Sequence, residues 1–181
     1  MYVLGVCGSP RKDGNTSVLM KEVLNGIEGE KEFISLAGLK INPCISCDRC
    51  WKENVDCVVE DDIKKIILKL EMCDAVVLGS PCYFKSVSAQ LKMLMDRTVS
   101  IYSKETLKNK VGAAVVTQDV KGLGGIVVAH TIRNFYETHK ILYAGGVIGE
   151  GGAEMGNIRN DEEAMKAASI LAERVNELLK R

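Results

Sequence analysis

Charge of one sign is missing from this sequence. Its 24 basic and 24 acidic side chains cancel, so net charge selects neither a nucleic acid nor an anionic membrane as partner. No apolar run approaches the roughly 20 residues of a membrane-spanning helix. No basic region precedes the apolar start Tyr2-Val3-Leu4-Gly5-Val6 either, so an untargeted cytoplasmic protein is expected. Histidine is scarce: His130 and His139 stand at helical positions, and neither neighbours an acid or nucleophile with which it would form a catalytic pair. Two phosphate-binding signatures are also absent, since no Gly-Lys-Ser/Thr closes a Walker loop and no Gly-x-Gly-x-x-Gly follows a strand. Tryptophan occurs once, at Trp51. What remains, 181 residues of which 46% are hydrophobic, suffices to bury one core, and a single domain over 1–181 is expected.

Cysteine is the exception to this scarcity. Of seven in all, Cys44, Cys47 and Cys50 follow at three-residue steps within the segment 43–58, and Cys57 closes the group. Two-residue spacers let three sulfurs converge on neighbouring corners of one small inorganic core, and the longer spacer brings the fourth thiolate round. The spacing predicts a single [4Fe-4S] cluster held by Cys44, Cys47, Cys50 and Cys57. Zinc remains an alternative, although four-thiolate zinc sites are usually built from separated cysteine pairs. Disulfides would form tight rings and leave one cysteine over. Val58, not proline, follows Cys57, and no second quartet exists, so one cluster is the limit. Such a set of free thiols suits a reducing, oxygen-poor compartment. Cys7, Cys73 and Cys82 read as small buried or loop residues.

Elsewhere the chain alternates short β-branched runs with helical patterns. Met1–Cys7, Glu32–Leu36, Asp74–Gly79, Lys110–Thr117 and Ile141–Ile148 read as buried strands. Helices are expected through Val18–Ile27, Ile63–Leu70, Ser88–Arg97 with Ser88 as N-cap, Ile126–His139, and Ala164–Leu179 behind the acids Asp161, Glu162 and Glu163. Asp61 and Asp62 can cap the second of these, and 149–156 reads as a flexible glycine-rich connection. Right-handed crossovers then give a doubly wound parallel sheet of order 2-1-3-4-5, with the cysteine segment inserted after strand two. The loop from Gly8 to Ser17 opens straight into a helix. Free amides and the helix dipole make it an anion site, with donors on Ser9, Arg11, Asn15, Thr16 and Ser17.

Gly8-Ser9-Pro10-Arg11 with Gly14-Asn15-Thr16-Ser17, and the later Ser80-Pro81-Cys82-Tyr83, resemble the flavodoxin-like NAD(P)H-dependent FMN reductases. Together with the cysteine run, the chain over nearly its whole length resembles the iron-sulfur flavoproteins of anaerobic archaea and bacteria. The resemblance implies FMN, its phosphate held by Ser9, Arg11, Asn15, Thr16 and Ser17. Its ring would lie against Pro81, Cys82, Tyr83 and Phe84, with a third loop reached through Thr117 and Gly124. That loop departs from the family, with Gly124-Gly125-Ile126-Val127 where Gly-Gly-Gln-Glu is commoner. It further implies an oxidoreductase that takes electrons from reduced ferredoxin or NAD(P)H and passes them through cluster and flavin to an acceptor such as oxygen, peroxide or a quinone. No side-chain acid or nucleophile is then required. A cluster-free FMN or quinone reductase and a non-catalytic electron carrier or redox sensor remain as alternatives. The helix ending Leu91-Lys92…Asp96-Arg97 sits at a subunit interface in the family, and its apolar Leu91, Met93, Leu94 and Met95 exceed one buried stripe, so a homodimer or homotetramer is expected.

Overall fold

The structure, a computed structural model, describes all residues 1–181. Five strands, β1 (Tyr2–Cys7), β2 (Glu30–Ser35), β3 (Ala75–Pro81), β4 (Val111–Gln118) and β5 (Leu142–Glu150), form one sheet in the order β2-β1-β3-β4-β5. Every pairing is parallel, as the near-continuous apolar runs require, because only a sheet covered on both faces buries both sides of each strand.

Alternation along the strands divides the core in two. Leu4, Val6, Val76, Leu78, Ala114 and Val116 face α3 (Ile63–Met72), α4 (Ala89–Arg97) and α6 (Gly124–Thr138). Val3, Cys7, Ala75, Val77, Ala113 and Val115 face α1 (Asn15–Gly26) and α7 (Glu162–Leu179). Tyr136 crosses between layers. It is fully buried, and its hydroxyl accepts from the Leu78 amide at 3.1 Å and donates to the Ala113 carbonyl at 2.8 Å, tying α6 to β3 and β4. The β4–β5 register slips between Gly112 and Ala113, leaving Ala144 as an extra residue that bulges the edge strand.

Two short helices, α2 (Arg49–Lys52) and α5 (Val99–Tyr102), have no counterpart in the sequence reading. Each is a single turn, too brief to show a period. Ser88 caps α4 by accepting from the Leu91 amide at 3.2 Å, and Asp161 caps α7 from the Ala164 amide at 3.0 Å. Asp61, not Asp62, receives the Ile63 amide at the start of α3, at 3.1 Å. The connection after β5 is not a free loop: its backbone is bonded to Asn15 and Arg11 and leads into a 3₁₀ turn at Asn157–Asn160. No helix is long and apolar enough to cross a membrane.

Candidate functional site

β1 and β3 lie side by side at the centre of the sheet, and the chain leaves them in opposite directions, to β2 and to β4. A cleft therefore opens beyond their carboxyl ends. The loop after β1 supplies Ser9, Arg11, Asn15 and Thr16 to its wall, the loop after β3 supplies Pro81, Cys82 and Tyr83, and β4 supplies Thr117. Gly14, Gln118, Asp119 and Gly152, which were not among the expected contact residues, complete it. Gln118 follows the last strand residue expected of β4, and that position at a strand end was the available signal.

The donors around this cleft are differently placed. No side chain caps α1, whose N-cap is Gly14, so its first-turn amides stay available to an anion, unlike those of α4 and α7. Ser9 is buried and its Oγ receives the Arg11 amide at 3.1 Å. Thr16 and Thr117 meet hydroxyl to hydroxyl at 2.6 Å, pinning α1 to the end of β4. Ser17 turns inward, where its hydroxyl donates to the Lys12 carbonyl at 2.7 Å and lies 3.4 Å from the Cys7 sulfur; it does not line the cleft. Asn15 and the Arg11 guanidinium bond to the segment after β5.

Tyr83 and Ser86 exchange backbone hydrogen bonds at 3.0 and 2.9 Å around Phe84 and Lys85. These two residues have φ of 49° and 59°, the left-handed pattern of a type I′ turn, which side chains other than glycine adopt at a cost. The turn leaves Tyr83 on the cleft wall and projects Phe84 fully into solvent, away from it. Gly124 opens α6 against this turn, and a Cβ there would stand 2.8 Å from the Cys82 sulfur, a contact only glycine permits. The Gly125 amide donates to Gln118 Oε1 at 2.7 Å. Gln118 also borders a wider groove of about 620 Å³ that runs past Ile126 and Ile148 to Asp161 and Ala164.

The cysteine segment lies elsewhere. Cys44, Cys47, Cys50 and Cys57 line one cavity with Trp51 and Val99, and no residue of that lining belongs to the cleft. All seven cysteines are free, and Ser46 and Asp48, between the cysteines of this segment, have φ of 52° and 60°. Burial, then the neighbouring Cys57, Cys47 and Cys44, push the Cys50 thiol up. No group of three or more His, Cys, Asp or Glu side chains is gathered to hold a single metal ion. Trp51 is 54% exposed and stacks on Tyr102 at 6.1 Å between centroids.

Arg97 anchors this segment. Its side chain is wholly buried and paired with an equally buried Asp61 at 2.8 Å. Its Nε donates to the Cys57 sulfur at 3.1 Å, while Nη1 and Nη2 donate to the Asn42 and Val59 carbonyls at 3.0 and 3.1 Å. Burial alone would raise the Asp61 carboxyl, but the Arg97 guanidinium, helped by the Asn42 amide, holds it below the usual range. Met93 and Met95 pack partly buried against the core and leave α4 less bare than its composition suggests. His139 is buried with Nε2 at 2.9 Å from the Thr98 hydroxyl, and His130 is exposed; neither reaches the cleft.

An open parallel sheet with a polar cleft at its reversal point, and four thiols around a separate cavity, define a flavodoxin-like protein of redox type. Comparison with known proteins narrows this. Residues 1–154 match the family described as NADPH-dependent FMN reductase. An iron-sulfur flavoprotein of Methanocaldococcus jannaschii is 42% identical over 191 aligned positions, covering 99% of this chain and 98% of the relative. The chain belongs to this family, on its iron-sulfur flavoprotein branch. Two solved structures share the fold. The Trp repressor binding protein of Bacillus subtilis has a TM-score of 0.72 at 22% identity, covering 93% of this chain and 98% of that one. An FMN-dependent NADH-azoreductase of Bacillus anthracis has a TM-score of 0.72 at 14% identity, covering 97% of this chain and 100% of the other.

Proposed function

We propose that this chain binds FMN in the switch-point cleft and a [4Fe-4S] cluster at Cys44, Cys47, Cys50 and Cys57, and moves electrons between a low-potential donor and a small-molecule acceptor. The observation that carries the reading is the gathering of those four thiols around one cavity in a chain whose fold already offers an uncapped helix N-terminus at the switch point. Flavin exchanges electrons singly or in pairs and a cluster singly, so the two join one-electron to two-electron couples.

The chain's own part is to bind and to exclude water. The first-turn amides of α1, the Ser9 hydroxyl and the Arg11 guanidinium hold a phosphate, and Pro81, Cys82 and Tyr83 offer a wall to a flat ring. Thr117 holds the first loop's helix to the end of β4, and Gly124 lets the third loop close on the second. Near the cysteines, Arg97 Nε donates to the Cys57 sulfur and so fixes where that side chain sits. The groove beyond Gln118 has room for a small donor such as NAD(P)H or a small acceptor such as oxygen, peroxide or a quinone, while reduced ferredoxin, itself a protein, would deliver electrons at the surface. Because cavity and cleft share no residue, and because Phe84 and Trp51 are exposed, a second copy of the chain is the natural cover for both.

That no three of the side chains meet at single-ion distance favours a second reading, a cluster-free NAD(P)H-dependent FMN or quinone reductase. Iron, acid-labile sulfide and flavin analysis of anaerobically purified protein separates the two. About four irons and four sulfides per chain beside one FMN are expected; stoichiometric zinc without sulfide sinks the cluster.

A further inference from the structure

The residues between β5 and the 3₁₀ turn form a strap across the anion loop. Asn15 Nδ2 donates to the carbonyls of Gly151, Gly152 and Glu154 at 3.0, 3.2 and 2.9 Å, and Asn15 Oδ1 accepts from the Ile158 amide at 3.2 Å. Arg11 Nη1 donates to the Ala153 carbonyl at 2.8 Å. The approach is so close that a Cβ on Gly151 would stand 2.3 Å from Asn15 Nδ2. Gly152 itself lines the cleft opposite Ser9 and Thr16. Asn15 has thus committed both of its N–H donors to the strap, and Arg11 part of its own.

We infer that this strap restricts the flavin site to a phosphate monoester, making 151–154 the determinant that admits FMN and turns away FAD. The inference rests on the flavin reading above and deepens it. In FMN the phosphate ends the molecule; in FAD the same phosphate carries a second phosphate and an adenosine that must leave the pocket. A phosphate seated on the first-turn amides of α1 has the sheet behind it, where buried Ser9 and the Thr16–Thr117 contact close the way. Gly152, its carbonyl bonded to Asn15, lines the same cleft and takes up room beside such a phosphate. Arg11, held by Ala153, keeps its remaining N–H groups for the third non-bridging oxygen, which a monoester has and the onward-linked phosphate of FAD lacks.

The test uses full-length apoprotein titrated with FMN, FAD and riboflavin by flavin fluorescence. Gly151→Ala drives a methyl into the Asn15 amide and lifts the strap without removing a phosphate donor. Deletion of Ala153 and Glu154 shortens the strap independently and decides the matter should Gly151→Ala fail to unfold cooperatively in urea. Wild-type protein is expected to prefer FMN, and either altered strap to lower the FMN-to-FAD affinity ratio by about tenfold or more with riboflavin affinity unchanged. An unaltered ratio in a folded variant, or wild-type protein that binds FAD as tightly as FMN, overturns the strap while leaving flavin binding intact. Wild-type protein that binds no FMN overturns the flavin reading, and the strap with it.

Discussion

Arg97 shows how much one side chain can carry. A guanidinium and a carboxylate with no solvent exposure are costly to bury and pay back little as a pair, yet removing one partner strands the other. Arg97→Ala is expected to destabilise the fold by about 3–5 kcal/mol in urea unfolding, and the pair Arg97→Met with Asp61→Asn to recover much of that loss. Equal loss in both proteins would show that the carbonyl bonds to Asn42 and Val59 matter more than the charge. Cys73 makes a second, pH-dependent case. Burial pushes its thiol from 9.0 to about 11, with the Lys110 charge opposing and Asp74 assisting. A folded-state value above the unfolded one means that this stability is complete below pH about 9 and fades as pH rises towards about 11. Stability is therefore expected to drop by up to about 2–3 kcal/mol across that window, and Cys73→Ala to fall less steeply over the same range. Sequence alone named both cysteine and arginine, but not their surroundings. A helix-terminal arginine ordinarily reads as surface, and nothing local says that Asp61, on another element, will meet it.

At the scale of elements, the strands were legible because buried parallel strands are written as unbroken β-branched runs: Ala75–Pro81 and Val111–Gln118 lie within a residue or two of where Val76, Val77, Val115 and Val116 placed them. The order of strands followed from crossover handedness. Hidden from the sequence were the elements held by tertiary bonds alone. Phe84 was expected against the flavin ring for its aromatic face, but the left-handed turn at 84–85 directs it outward. The glycines of 149–156 suggested freedom, whereas Gly151 is there for close approach to Asn15. The cysteine segment is the reverse case, obvious in sequence and peripheral in the fold. Cys47 is exposed and lies in neither core layer, so Cys47→Ser is expected to abolish iron binding yet leave far-UV circular dichroism and the urea midpoint of the apoprotein nearly unchanged. A collapse of the apoprotein's sheet in that variant would show that the segment is part of the core after all.

For the molecule as a whole, apolar groups in contact with water are scattered over the surface, and some of them lie at the two candidate cofactor places. Ile45, Trp51, Val55 and Tyr102 are exposed around the cysteines, and Phe84 beside the cleft. Light scattering is expected to give a dimer or tetramer, and Trp51→Glu to shift it towards monomer by placing a charge in the covered patch. A wild-type monomer at working concentration would refute a second copy of the chain as the cover for cleft and cavity. The Arg97 anchor has a further consequence, in time rather than in space. The cysteines at 44–57 leave the ribosome some forty residues before the arginine that holds them, and Arg97 reaches Cys57 only once α4 is packed on the sheet. Cys57 therefore takes its final place only after an arginine 40 positions later has been made and packed.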